Sequence, residues 1–174
     1  MEKILIIVDM QKDFVDGSLG TKEAQAIVPV VKKKIENFDG DIIFTKDTHG
    51  EDYMSTQEGQ NLPIPHCIKE TAGHEIIEEL QPYIKKSLAI FEKETFGSRK
   101  LANFLKELHK EKEIESIELI GLCTDICVVS NALLIKAFLP EVPISVDSKC
   151  CAGVTPEKHE SALEVMRSCQ IVIW

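Results

Sequence analysis

The sequence predicts an α/β fold built on a mostly parallel sheet. Three observations predict it. Strand-like apolar runs alternate with stretches of helical spacing along the whole chain. The run at residues 4–8 is unbroken and that at 117–120 nearly so, as strands buried on both faces require. Polar residues able to do chemistry sit at or near strand ends, where the ligands of open α/β sheets bind.

Residues 4–9 give the first strand, which ends in Asp9. Residues 10–20, with Gly17 and Gly20, read as a loop. Residues 22–38 place Ala26, Ile27, Val30, Val31, Ile35 and Phe38 at helical spacing, and Pro29 marks the expected start of the regular helix. A second strand follows at 41–45. Residues 47–73 are irregular, with three glycines and two prolines; loops that long inside a compact domain are usually functional. A short helix is expected at 74–80 and a third strand at 88–91, ending near Lys93. Ser98 caps a helix over 98–110. The fourth strand spans 114–120, and residues 128–138, apolar nearly all round, predict a buried helix. The fifth strand, 142–146, is followed by Asp147. Thr155 and Pro156 open the last helix, and residues 171–174 form a sixth strand. No repeat, linker or low-complexity stretch interrupts the pattern, so one domain over residues 1–174 is expected.

Composition narrows the partners. The 174 residues carry a net charge of −9 and are 44% hydrophobic. Nucleic acid and anionic membranes need a basic face, so neither is an expected partner. No apolar run is long enough to span a bilayer. Strand-like sequence begins at Ile4 without a signal peptide, and a cytoplasmic location is the expectation. In that reducing setting Cys67, Cys123, Cys127, Cys150, Cys151 and Cys169 stay free thiols. Cys150 and Cys151 read as core or loop residues, and Cys169, ending a helix, as packing.

Cys127 falls where the fourth strand gives way to a helix. The first-turn N–H groups and dipole of a helix favour a thiolate, which suits a nucleophile; a small buried core residue is an equally good reading of that stretch alone. With Asp9 as proton acceptor and Lys93 to hold the thiolate, the three make a coherent catalytic set. Asp47-Thr48-His49 and Pro65-His66-Cys67 supply a carboxylate and two imidazoles, a donor set for zinc, iron or manganese. Capping by Asp47 and solvation of the histidines is the alternative.

Five motifs together carry a resemblance. They are Ile7-Val8-Asp9-Met10-Gln11-Lys12-Asp13-Phe14, Thr45-Lys46-Asp47-Thr48-His49, Pro65-His66-Cys67, Lys93-Glu94-Thr95-Phe96-Gly97-Ser98 and Gly121-Leu122-Cys123-Thr124-Asp125-Ile126-Cys127-Val128. In them the chain resembles the isochorismatase-like cysteine hydrolases, and within these the nicotinamidases. The resemblance implies a three-layer, Rossmann-like fold with a six-stranded sheet and helices on both faces. It implies a catalytic triad of Asp9, Lys93 and Cys127, and a cis peptide before Cys123. The backbone N–H groups of Cys123 and Cys127 would form an oxyanion hole. Asp47, His49 and His66 match the metal ligands, with zinc the first expectation. Glu58 is a possible further ligand, although pairing it with the family's extra acidic ligand needs a one-residue insertion. The tryptophan many nicotinamidases carry near the Pro65 unit is missing, which leaves Phe14 and Phe96, with Leu122, to wall the substrate pocket. The implied reaction is nicotinamide to nicotinate and ammonia by a homo-oligomer, dimer or tetramer. Another small amide or isochorismate as substrate, or a non-catalytic role, are the rivals.

Overall fold

The structure, a computed structural model, describes residues 2–174. Its elements in chain order are β1 (Glu2–Val8), α1 (Lys12–Val15), α2 (Lys22–Asn37), β2 (Asp41–Asp47), α3 (Gln57–Asn61), α4 (Gln81–Ile84), β3 (Ala89–Lys93), α5 (Arg99–Glu111), β4 (Ile114–Leu122), α6 (Val129–Phe138), β5 (Ile144–Ala152), α7 (Pro156–Ser168) and β6 (Val172–Ile173). One six-stranded sheet takes them in the order β3-β2-β1-β4-β5-β6, every pairing parallel. This is the predicted Rossmann-like α/β arrangement.

The apolar run of β1 explains its central place. Ile4, Ile6 and Val8 point into one core with Leu101 and Leu105 of α5, Ala132 and Ile135 of α6 and Leu163 of α7. Leu5 and Ile7 point into the other with Ala24, Ile27, Val31 and Ile35 of α2. Side chains alternate across a strand, so a strand covered on both sides must be apolar throughout. The result is three layers, helix over sheet over helix.

Gly121 fixes how closely β4 approaches β1. Its φ is +114°, and an added Cβ would lie 2.2 Å from the Val8 carbonyl oxygen. Only glycine combines that backbone with that contact. The strand ends bearing Asp9 and Leu122 are thereby pressed together.

Several local expectations are corrected. Helix α2 starts at Lys22, capped by Thr21 Oγ1 accepting from Ala24 N–H, and carries Pro29 in its interior; burial of its Ile27–Val31–Ile35 stripe outweighs the missing proline donor. Residues 10–20 include the short helix α1. No helix spans 74–80. Short 3₁₀ turns occupy Ala72–His74 and Glu78–Leu80, and the chain between them bonds outward: Lys12 N–H donates to the Glu75 carbonyl and Ile77 N–H to that of Met10. β5 runs on to Ala152, so Cys150 and Cys151 are buried strand residues. Cys169 is exposed rather than packed. Helix α6 buries Asn131, Ala132 and Ile135, but its other face is only partly covered. No helix among the described residues is long and apolar enough to cross a membrane.

Candidate active site and metal group

The C-terminal ends of β1, β2 and β3, with the turn after β4, converge on Lys93. Its Nζ lies 2.6 Å from Asp9 Oδ2, 3.0 Å from Asp47 Oδ1 and 3.2 Å from Cys127 Sγ. All four side chains are buried. An ammonium out of water is stable only with opposite charge beside it, and two carboxylates supply it: burial pushes Lys93 down, but Asp9, Cys127 and Asp47 hold its pKa well above the usual lysine value.

Asp9 directly follows β1 with φ +47°, a region aspartate tolerates better than most residues. Thr45 of β2 pins it from both sides. Its Oγ1 accepts from the Asp9 N–H at 3.2 Å and donates to Asp9 Oδ1 at 2.6 Å. Asp9 Oδ2 pairs with Lys93 by charge but receives no hydrogen bond of good geometry among the described residues, which leaves it a place for a proton. Burial raises the Asp9 pKa above the ordinary carboxylate value, with Lys93 opposing.

A π turn, Thr124–Val128, separates β4 from α6 and carries Cys127 inside it. Cys127 thus lies where the strand gives way to a helix, as expected, but the shift of its pKa runs against expectation. Burial pushes its pKa well above the usual thiol value, Asp9 adds to the shift, and Lys93 opposes both without prevailing. The peptide joining Leu122 to Cys123 is cis.

Asp47, at the end of β2, belongs to a second group. His49 Nε2 lies 2.9 Å from Asp47 Oδ2 and 3.6 Å from Glu58 Oε1; His66 Nε2 lies 3.6 and 3.7 Å from the same two oxygens. His66 Nδ1–H donates to the Ile64 carbonyl, which turns its Nε2 lone pair toward the group. The Tyr53 ring stacks near both imidazoles, 4.8 Å from His49 and 5.0 Å from His66. Donors bound to zinc at about 2.0–2.2 Å lie roughly 3.3 Å apart in a tetrahedron, so the four atoms fit around one dication. The electrostatics agree. Burial pushes Asp47 up, yet His49, His66 and Lys93 hold it far below the carboxylate range. Burial pushes His66 down, yet Asp47, the Ile64 carbonyl and Glu58 hold it above the imidazole range. Two carboxylates facing two imidazoles call for positive charge.

Both groups open on one cavity of about 730 Å³, walled by Phe14, Phe96 and Leu122 and floored by Cys123, Cys127 and His66. The structure thus brings together Asp9, Lys93 and Cys127, gathers Asp47, His49 and His66 beside them, and adds Glu58, which α3 carries into the group. Thr45, Tyr53 and Gln11 were missed by sequence reasoning. Gln11 is fully buried; its Oε1 accepts from the Asp47 N–H at 2.7 Å and its Nε2 donates to the Asp47 carbonyl at 2.8 Å.

Comparison with known proteins agrees with this architecture. The isochorismatase domain model matches residues 3–173. An isochorismatase family protein of Bacillus subtilis is 31% identical, over 94% of this chain and 93% of its own. A nicotinamidase of Schizosaccharomyces pombe is 29% identical, over 97% and 91%. The crystal structure of Pyrococcus horikoshii pyrazinamidase in complex with zinc superposes with a TM-score of 0.82 at 29% identity, covering 100% of this chain and 99% of that one. A single sheet with its strand ends gathered on one buried lysine, matched from end to end, places this chain in the isochorismatase family.

Proposed function

We propose that the protein is an amide hydrolase that converts nicotinamide and water to nicotinate and ammonia through a thioester on Cys127. The observation that carries this reading is Lys93 Nζ, in reach of Asp9, Cys127 and Asp47 at once. It joins a nucleophile–base pair to a metal-ligand group across one ammonium, in a cavity walled by two phenylalanines. The relatives named nicotinamidase and pyrazinamidase support the substrate class.

Asp47, His49, Glu58 and His66 would hold a divalent metal, zinc first, which supplies a Lewis-acidic anchor for the ring nitrogen. The protein does the rest. Asp9 Oδ2 takes the Cys127 proton as sulfur attacks the carboxamide carbon. The N–H groups of Cys123 and Cys127 receive the oxyanion. Asp9 returns the proton to the amide nitrogen, the carbon–nitrogen bond breaks and ammonia leaves. Asp9 then draws a proton from water, which hydrolyses the thioester and restores the thiol. Lys93 stays charged throughout and keeps Asp9 and Cys127 in register. Ammonia release from nicotinamide and pyrazinamide, with zinc, iron or manganese and with a chelator, tests the reading. Metal-stimulated, chelator-sensitive ammonia release is expected; none from either amide would overturn it.

A further inference from the structure

Asn131 is the one fully buried amide in a helix otherwise read as apolar. Its position, one turn after Cys127, lets it serve two segments. Its Nδ2 donates to the Cys127 carbonyl at 2.8 Å and to the Phe96 carbonyl at 3.1 Å, while its Oδ1 accepts from the Ser98 N–H at 2.9 Å. Both amide hydrogens and the carbonyl oxygen are used, which is the condition for burying such a group at low cost.

The two segments it joins have different work. Phe96 and Ser98 lie on the loop between β3 and α5, which starts at Lys93 and offers the Phe96 ring to the cavity. That ring is 46% exposed, so packing alone does not hold it. Cys127 is buried in the π turn, on a separate segment of the chain. Nothing in β3 fixes the loop's distance from the thiol once the strand ends at Lys93; the Asn131 bonds do.

We infer that Asn131 is a positioning residue, which ties the Phe96 wall to the nucleophile turn so that the width of the substrate slot is set before an amide enters. The inference rests on the amidase reading. A wall held in advance spares the bound state the cost of ordering it, so the effect falls on substrate binding.

Asn131→Ser isolates the link. A helical serine donates back to the carbonyl four residues earlier, here that of Cys127, but its side chain is too short to keep both loop bonds. With nicotinamide as substrate and zinc present, Asn131→Ser should raise KM about tenfold while kcat changes less than threefold. In a Phe96→Ala background the same substitution should change kcat/KM less than threefold, because the wall it positions is already gone. A tenfold loss in both backgrounds, or a loss confined to kcat, would overturn the inference while leaving the amidase reading intact. Turnover by neither the wild type nor any variant would overturn both. If Asn131→Ser does not fold, Asn131→Asp, which keeps the Ser98 bond and loses both donations, is put through the same cycle with the same criterion.

Discussion

The two ends of the site are built on different principles. Asp9, Lys93 and Cys127 come from the ends of β1 and β3 and the turn after β4, so the sheet itself sets their separations. Of the metal group, Asp47 alone ends a strand. His49, Glu58 and His66 ride on the chain between β2 and β3, tied together by a bridge between His49 and Ile68, by His66 Nδ1–H to the Ile64 carbonyl and by the Tyr53 hydroxyl to the Leu62 carbonyl. The first end holds its own cation, the Lys93 ammonium, paired with Asp9 and reaching across to Asp47 of the second. The second leaves two carboxylates and two imidazoles short of positive charge. On the proposed reading, the sheet carries the bond-breaking groups and a long loop carries most of the metal-ligand groups, a division common where loops are mounted on sheets.

If the ends are separable in this way, Cys127→Ala should break one and spare the other. Amide hydrolysis should fall by at least about 10⁴-fold, as nucleophile removal does in related covalent mechanisms. Zinc affinity, measured by competition with a chelating dye, should stay within about twofold. A matching loss of zinc would show that the ends are one unit. Gln11→Ala attacks the bridge from the other side. It removes both side-chain bonds to the Asp47 peptide and leaves the Asp47 carboxylate chemically intact. Loss of such a supporting contact costs roughly 10–100-fold in metal affinity, and the same titration should show it, with the pH profile of Cys127 labelling by iodoacetamide unchanged from wild type. Unchanged zinc affinity would mean that β2 alone places Asp47.

The same division decides what could be read from the sequence. Asp9, Lys93 and Cys127 were legible because a strand's end is visible in its apolar run, and parallel strands put their ends on one edge. Glu58 was legible only as a possible ligand, because its place depends on how residues 47–73 fold around Tyr53, and no periodicity encodes that. Gln11 was not, because it bonds a peptide rather than a side chain. The helix expected at 74–80 misled for a related reason: Ile76, Ile77 and Leu80 have helical spacing and are all buried, but the backbone of that segment bonds to Met10 and Lys12. Pro29 misled in the opposite direction, since tertiary burial of α2 overrode a local breaker. At Cys127 the sequence located the thiol correctly and had the sign of its ionisation wrong, because burial depth is a property of the assembled sheet.

That sign yields the smallest effect and the sharpest view of the nucleophile end. Burial and the Asp9 charge raise the Cys127 pKa; Lys93 lowers it and does not prevail. A raised thiol pKa means that thiolate appears only at a pH above the ordinary range of about 8.5. Iodoacetamide labelling of Cys127, followed by peptide mass, should therefore stay slow through neutral pH and climb only in alkali. Asp9→Asn removes one raising cause and leaves burial and the Asp47 charge, so the thiolate range should move down. Labelling at pH 7.5 should then rise about three- to tenfold, the gain in thiolate when one carboxylate's repulsion is lifted. Catalysis should meanwhile fall, since the variant gains thiolate but loses the group that takes and returns the proton. Labelling that is already maximal near pH 7 in the wild type would mean that Lys93 outweighs burial; the thiol would then rest as an anion, and Asp9 would have no proton to accept in the attack.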